Sequence, residues 1–183
     1  MNWIAELDEL TRTFKEKFGH LGEKELNWKP NPQTWSIAQN IEHLIVVNKT
    51  YFPVLTSLKE GSYKAPLIAK IGFVVSFIGK TVLHAVNPDN RKKIKTFPVW
   101  EPTISQIKGD ILQQFENHQH ELKRQIESSE EFIEKGAIIS SPANRNIVYK
   151  LETAFDIIVT HEQRHLKQAS EILDKLKQLA SDK

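Results

Sequence analysis

A chain of 183 residues, 39% hydrophobic and 26% charged, carries enough apolar material for one domain's core and is too short for two comfortable ones. It also lies far from the composition of disordered chains. Its 25 lysines and arginines against 23 acids leave a formal charge of +2, which supplies no global field for steering toward nucleic acid or anionic lipid. The absence of cysteine excludes disulfides, thiolate metal ligands and a cysteine nucleophile, so any metal ion must sit on nitrogen and oxygen donors.

Residues 1–10 mix acids with apolar side chains, unlike the basic and then apolar start of a secretion signal, and a cytoplasmic location is expected. Trp3, Ile4, Leu7, Leu10, Phe14 and Phe18 recur at helical spacing and predict a first helix over about 2–18, with Gly19 as its C-cap. After a loop containing Pro30 and Pro32, Ser36 and Gln39 have the spacing of a capping box, so a second helix is expected from there toward Leu58.

Gly61 and Pro66 then break the pattern. The apolar stretch 65–86 predicts an irregular or partly helical excursion, read as buried or indifferent to membranes, because Lys70, Lys80 and His84 leave no uncharged piece long enough for a span. Pro88, Pro98 and Pro102, with the basic run 91–95, make 87–102 an extended connection. That run is short enough to be simply solvated, and no nucleic-acid partner is expected.

Helical periodicity returns at Ile107, Ile111, Leu112, Phe115, Leu122 and Ile126, giving a third helix over 104–128. A loop around Gly136 and Pro142 precedes a fourth, from about Ile147 to Leu179, in which Leu151, Ala154, Ile158, His161, His165, Ala169, Ile172 and Leu176 step along one face. Nothing reads as a strand. Four amphipathic helices in one domain spanning 1–183 predict an all-α four-helix bundle.

Two histidines lie on the core stripe of the fourth helix. His161 and His165 are four apart, so their side chains stack on one face and both imidazoles can reach one ion. A catalytic metal with an open position needs a third ligand, and His43 on the second helix is the candidate a bundle can bring opposite. The alternative for each is a partly buried, hydrogen-bonded histidine.

The segment from His161 to His165 also fits the zinc-protease pattern of two histidines around a glutamate. Only 18 residues follow it, and the extended form of that motif needs histidine where Glu171 stands, which disfavours a protease. Glu162 has three open roles: a base, a partner that fixes a ligand's tautomer, or a solvated acid beside Arg164. His118 and His120 cannot share a helical face, and with His20 and His84 they are read as structural or surface residues.

Trp35, Ser36, Gln39, His43 and Leu44, followed far downstream by His161, Glu162, Gln163, Arg164, His165, Leu166 and Gln168, resemble the DinB-like (DinB/YfiT) superfamily in order as well as composition. Residues 25–30 and 94–98 are similar to it too, and only 65–86 matches loosely. The resemblance implies an up-down-down-up bundle, frequently dimeric, with a metal ion on His43, His161 and His165. It also implies a metal-dependent enzyme acting on a small molecule, either a thiol-dependent S-transferase using a low-molecular-weight thiol or a hydrolase. The alternative it leaves is a non-catalytic, metal-stabilised bundle for binding or dimerisation. Zinc is the expected ion; nickel, iron and manganese also suit imidazole ligands.

Overall fold

The computed structural model describes residues 1–90, 92, 95–102 and 106–181. Four helices form the bundle: α1 (Trp3–Phe18), α3 (Ile37–Lys49), α6 (Ile111–Glu127) and α8 (Leu151–Ser181), joined by the short α2 (Glu23–Leu26), α4 (Phe52–Lys59) and α7 (Glu130–Glu134) and by the longer α5 (Gly72–Val86). A hairpin of β1 (Ile138–Ser141) and β2 (Asn144–Lys150) precedes α8. The all-α expectation holds for the body, and no helix among the described residues is long and apolar enough to cross a membrane.

Cross-helix pairs fix the directions. Trp3 donates to Asp156 and Gln163 to Glu6, so α1 and α8 run parallel. Lys15 pairs with Glu116, and Lys123 with Asp8, so α1 and α6 are antiparallel. Asn40 bonds His165 and Asn48 bonds Glu162, which makes α3 antiparallel to α8. These relations give an up-down-down-up bundle.

The elements follow local chemistry with four departures from the sequence expectation. Asn2 caps α1 through a bond from the Ala5 amide, and the Ser36–Gln39 capping box forms in both directions at the start of α3. The second helix does not run unbroken to Leu58, however. It ends at Lys49 and resumes as α4 at Phe52, because Pro53 has no N–H and its ring would clash with the carbonyl of Lys49 in a continuous helix.

The third helix begins at Ile111, later than its periodicity suggests. The backbone of Ile107 is held on both sides by the Asn27 amide, and the Gly109 amide by Glu23, so these groups are spent outside a helix. Ile104 and most of the basic run (Arg91, Lys93 and Ile94) lie outside the described residues.

The fourth helix starts at Leu151 instead of Ile147, and a strand occupies 144–150 where none was expected. It pairs antiparallel with β1 across a tight turn at Pro142 and Ala143, with Ser140 opposite Val148 and an irregularity between Ser140 and Ser141. The connection 87–102, expected to be extended throughout, contains a 3-10 turn at Pro98–Trp100.

The excursion between the second and third bundle helices is partly helical as expected, but it is not buried throughout: Leu67, Phe73 and Phe77 are exposed, because only one side of this segment meets the body. It is a 3-10 turn at Leu67–Lys70 followed by α5, which packs on β2 and α8. A β-carbon on Gly79 would lie 3.1 Å from Thr153 Cγ2 and 3.2 Å from Tyr149 Cβ, so α5 approaches that closely only because this residue has no side chain.

The bundle interior is layered. One apolar cluster holds Leu7, Leu10, Val47, Tyr51, Leu122, Phe155 and Ile158, and a second holds Phe14, Phe18, Ile41, Leu44, Phe115, Ala169 and Ile172. Among them run buried polar residues spread over about two turns: Asn40, His43 and Asn48 on α3, His118 and Gln119 on α6, and Glu162 and His165 on α8. Gly79→Leu must push α5 off this body and is expected to cost about 2 kcal/mol or more in urea unfolding, whereas Thr81→Leu on the exposed side of the same helix should change stability little.

Candidate metal centre

His43, His161 and His165 all lie in the polar layer. α3 projects His43 and α8 projects the other two, and one ligand-capable atom from each falls within 4.8 Å of the others. His161 Nε2 is 3.4 Å from His43 Nε2 and 3.0 Å from His165 Nε2. Three nitrogens about 2.0–2.1 Å from one tetrahedral ion would stand about 3.3 Å apart, so this spacing suits coordination.

The outer nitrogens decide the tautomers. His43 Nδ1 lies 2.6 Å from the Trp100 carbonyl, and His165 Nδ1 lies 2.8 Å from Asn40 Oδ1. Both partners accept, so each Nδ1 carries the proton and each Nε2 presents a bare lone pair. Asn40 is oriented in turn, because its Nδ2 donates to the Ser36 carbonyl at 2.8 Å. At most one proton, on His161 Nε2, is then available to three converging nitrogens, and a cation satisfies that set better than any hydrogen-bond pattern the three rings can make.

Burial holds all three neutral. His43 is pushed down to about 4 by desolvation, against the pull of the Trp100 carbonyl. His165 and His161 lie well below the ordinary range, first through burial and then through the neighbouring imidazoles and Arg164. Trp35 stacks on His165 with centroids 5.9 Å apart and 18° between planes, and leans on His43 at 4.9 Å. His43 and His165 are buried, whereas His161 keeps partial exposure and marks the open side.

Glu162 is neither solvated nor paired with Arg164, which corrects one of its three sequence readings. It is fully buried, and its carboxylate accepts from Asn48 Nδ2 at 2.7 Å and from Gln119 Nε2 at 2.6 Å. Burial raises it to about 7 against those two bonds. Arg164 instead donates to the carbonyls of Ala85, Asn87, Asn90 and Lys92, clamping the chain after α5 beside the triad.

Among the described residues, Asn48 Oδ1, Gln119 Oε1 and both nitrogens of His118 are buried without a partner. His118 stacks on Phe52 at 5.6 Å and is held down to about 4 by desolvation and then Lys49. His20, His84 and His120 are exposed, which agrees with their reading as surface residues. The roles of Trp100 and Asn48 had no sequence signal, because a backbone carbonyl and a lone asparagine carry no spacing pattern. The helical pattern puts Asn40 on roughly the same side as His43, and no motif marks it further.

A family model for the DinB superfamily matches residues 6–169, which includes all three histidines. No curated protein and no solved structure matches the chain. The chain belongs to the DinB superfamily.

Two buried groups give stability opposite pH dependences. In the unfolded chain His118 gains its proton near 6.5 but in the folded one only near about 4, so acidification through that window favours unfolding. His118→Leu should remove this loss, on the order of 3 kcal/mol, as a flatter urea-midpoint profile on the acid side. Glu162 is ordinarily ionised above 4.5 but in the fold only above about 7, so its contribution weakens as pH rises through that interval. Glu162→Gln should therefore gain relative to wild type as pH is raised from about 5 to about 8.

Proposed function

We propose that this DinB-superfamily chain holds one divalent metal ion on His43, His161 and His165 and uses it as the centre of a metal-dependent enzyme acting on a small molecule. The observation that carries the proposal is the convergence of three Nε2 atoms, two of them stripped of protons by acceptors on the far side of their rings. Three neutral imidazoles would leave the charge of a divalent ion uncompensated, and as a set of three they would leave room for a further ligand. When bound there, the ion supplies Lewis acidity that lowers the pKa of a coordinated water or thiol into the neutral range.

The chain's own residues do the rest. Asn40 and the Trp100 carbonyl hold the ring orientations, and Trp100 is itself tied to Thr50 Oγ1 through its indole at 3.2 Å. Trp35 covers one flank of His43 and His165, and Arg164 keeps the chain after α5 in place on another side. His161, the one of the three with partial exposure, offers the approach for a substrate.

Such a site supports thiol-dependent S-transfer, with a low-molecular-weight thiol as nucleophile, or hydrolysis with water. Zinc suits the donor set and spacing, as do nickel, iron and manganese. A structural metal is the second reading, favoured by the position of His43 and His165 inside the layer that joins the two apolar clusters.

Elemental analysis of untagged protein should find about one metal ion per chain, and none in a variant with alanine at His43, His161 and His165. An absence of metal after reconstitution with each of the four ions overturns the site. If His43→Ala loses activity in thiol-transfer and hydrolysis screens while its thermal midpoint is kept, the metal is catalytic; wholesale unfolding assigns it to structure. Asn40→Leu, which leaves all three ligands in place, should weaken metal affinity by about 10–100-fold in a chelator competition.

A further inference from the structure

The outer face of α5 is unlike the rest of the surface. Phe73 and Phe77 are 78% and 70% exposed, and Leu67 and Ile71 in the turn before them 81% and 44%. The opposite side of the helix, at Val75 and Gly79, is buried against β2 and α8. The helix is therefore apolar on two sides, one packed and one presented. The presented stripe runs Phe73, Phe77, Lys80 and His84, at helical spacing.

Within the segment itself the charge has one sign. No aspartate or glutamate occurs between Glu60 and Asp89, whereas Lys64, Lys70 and Lys80 are all exposed. We propose that this face docks on an anionic lipid surface, with Phe73, Phe77, Leu67 and Ile71 entering the boundary between headgroups and acyl chains and the three lysines meeting acidic headgroups. Aromatic and aliphatic side chains beside lysines on one helix and the turn before it suit such interfacial contact, and the absence of acids from 61–88 avoids local repulsion by an anionic surface.

A second copy fits the same face less well. A two-fold contact sets the patch against itself, bringing its lysines together with no acid inside the patch to pair them. The protruding phenylalanines form a ridge, which a deformable lipid layer accepts and an identical ridge does not.

The placement leaves the triad free. Gly79 lies against Thr153, and the chain following α5 meets Arg164, so α5 runs parallel to α8 and carries Phe73 toward the end of the pair remote from His161 and His165. Lipid contact and metal binding can therefore be tested separately.

Cosedimentation of the untagged full chain with vesicles tests this. We expect binding to mixed phosphatidylglycerol and phosphatidylcholine, none to phosphatidylcholine alone, and progressive release as salt is raised. Phe73→Ser with Phe77→Ser should lower the bound fraction by at least about tenfold at unchanged metal content and thermal midpoint. Lys70→Glu with Lys80→Glu, which touches no packed residue, should do the same. Wild type left in the supernatant with anionic vesicles overturns the inference, as does undiminished binding by both double variants. A wild-type dimer that the phenylalanine variant splits in sedimentation velocity, with neither protein binding vesicles, assigns the face to a second copy.

Discussion

The buried carboxylate of Glu162 is the constraint around which the bundle is organised. A carboxyl group at zero exposure is costly unless its oxygens are satisfied, and here one bonds Asn48 on α3 and the other Gln119 on α6. That fork ties three of the four long helices at one height. It also fixes the rotation of α8, because with Glu162 aimed at the centre, His161 and His165 must emerge on the side that faces α3.

The layered interior makes this arrangement stable. Apolar clusters lie above and below the polar belt and supply the hydrophobic stabilisation that the belt does not. The belt in turn specifies register, since sliding α3 by one turn against α8 would unpair Asn40 from His165 and Asn48 from Glu162 together. Its unpartnered atoms, on Asn48, Gln119 and His118, are a reserve within the same belt. If Glu162 takes up a proton, either amide can turn its oxygen to accept it.

Interruptions outside the bundle serve the same site. At the break before α4 the Thr50 hydroxyl donates to the Val47 carbonyl and receives the Trp100 indole, and the Trp100 carbonyl lies on His43. On the other flank, Arg164 spends its guanidinium on the carbonyls that follow α5, joining the lipid-facing segment to the triad-bearing helix without bringing the two sites together.

Sequence periodicity determined the four long helices, because apolar spacing at threes and fours leaves a helix only one face to bury. The capping box of Ser36 and Gln39 was equally legible, since a cap is a contact between neighbours in the chain. The i,i+4 pair His161 and His165 was legible for the same local reason, and His43 as a histidine on a core-facing helix. What only the tertiary structure decided rests on long-range partners: the late start of α6, held off by Asn27, and the β1–β2 hairpin, whose short strands gain meaning only when paired. It also decided the burial of Glu162 and the acceptors that set two histidine tautomers. A local pattern can place a side chain on a face of its own helix, but which groups meet it there depends on how the helices pack.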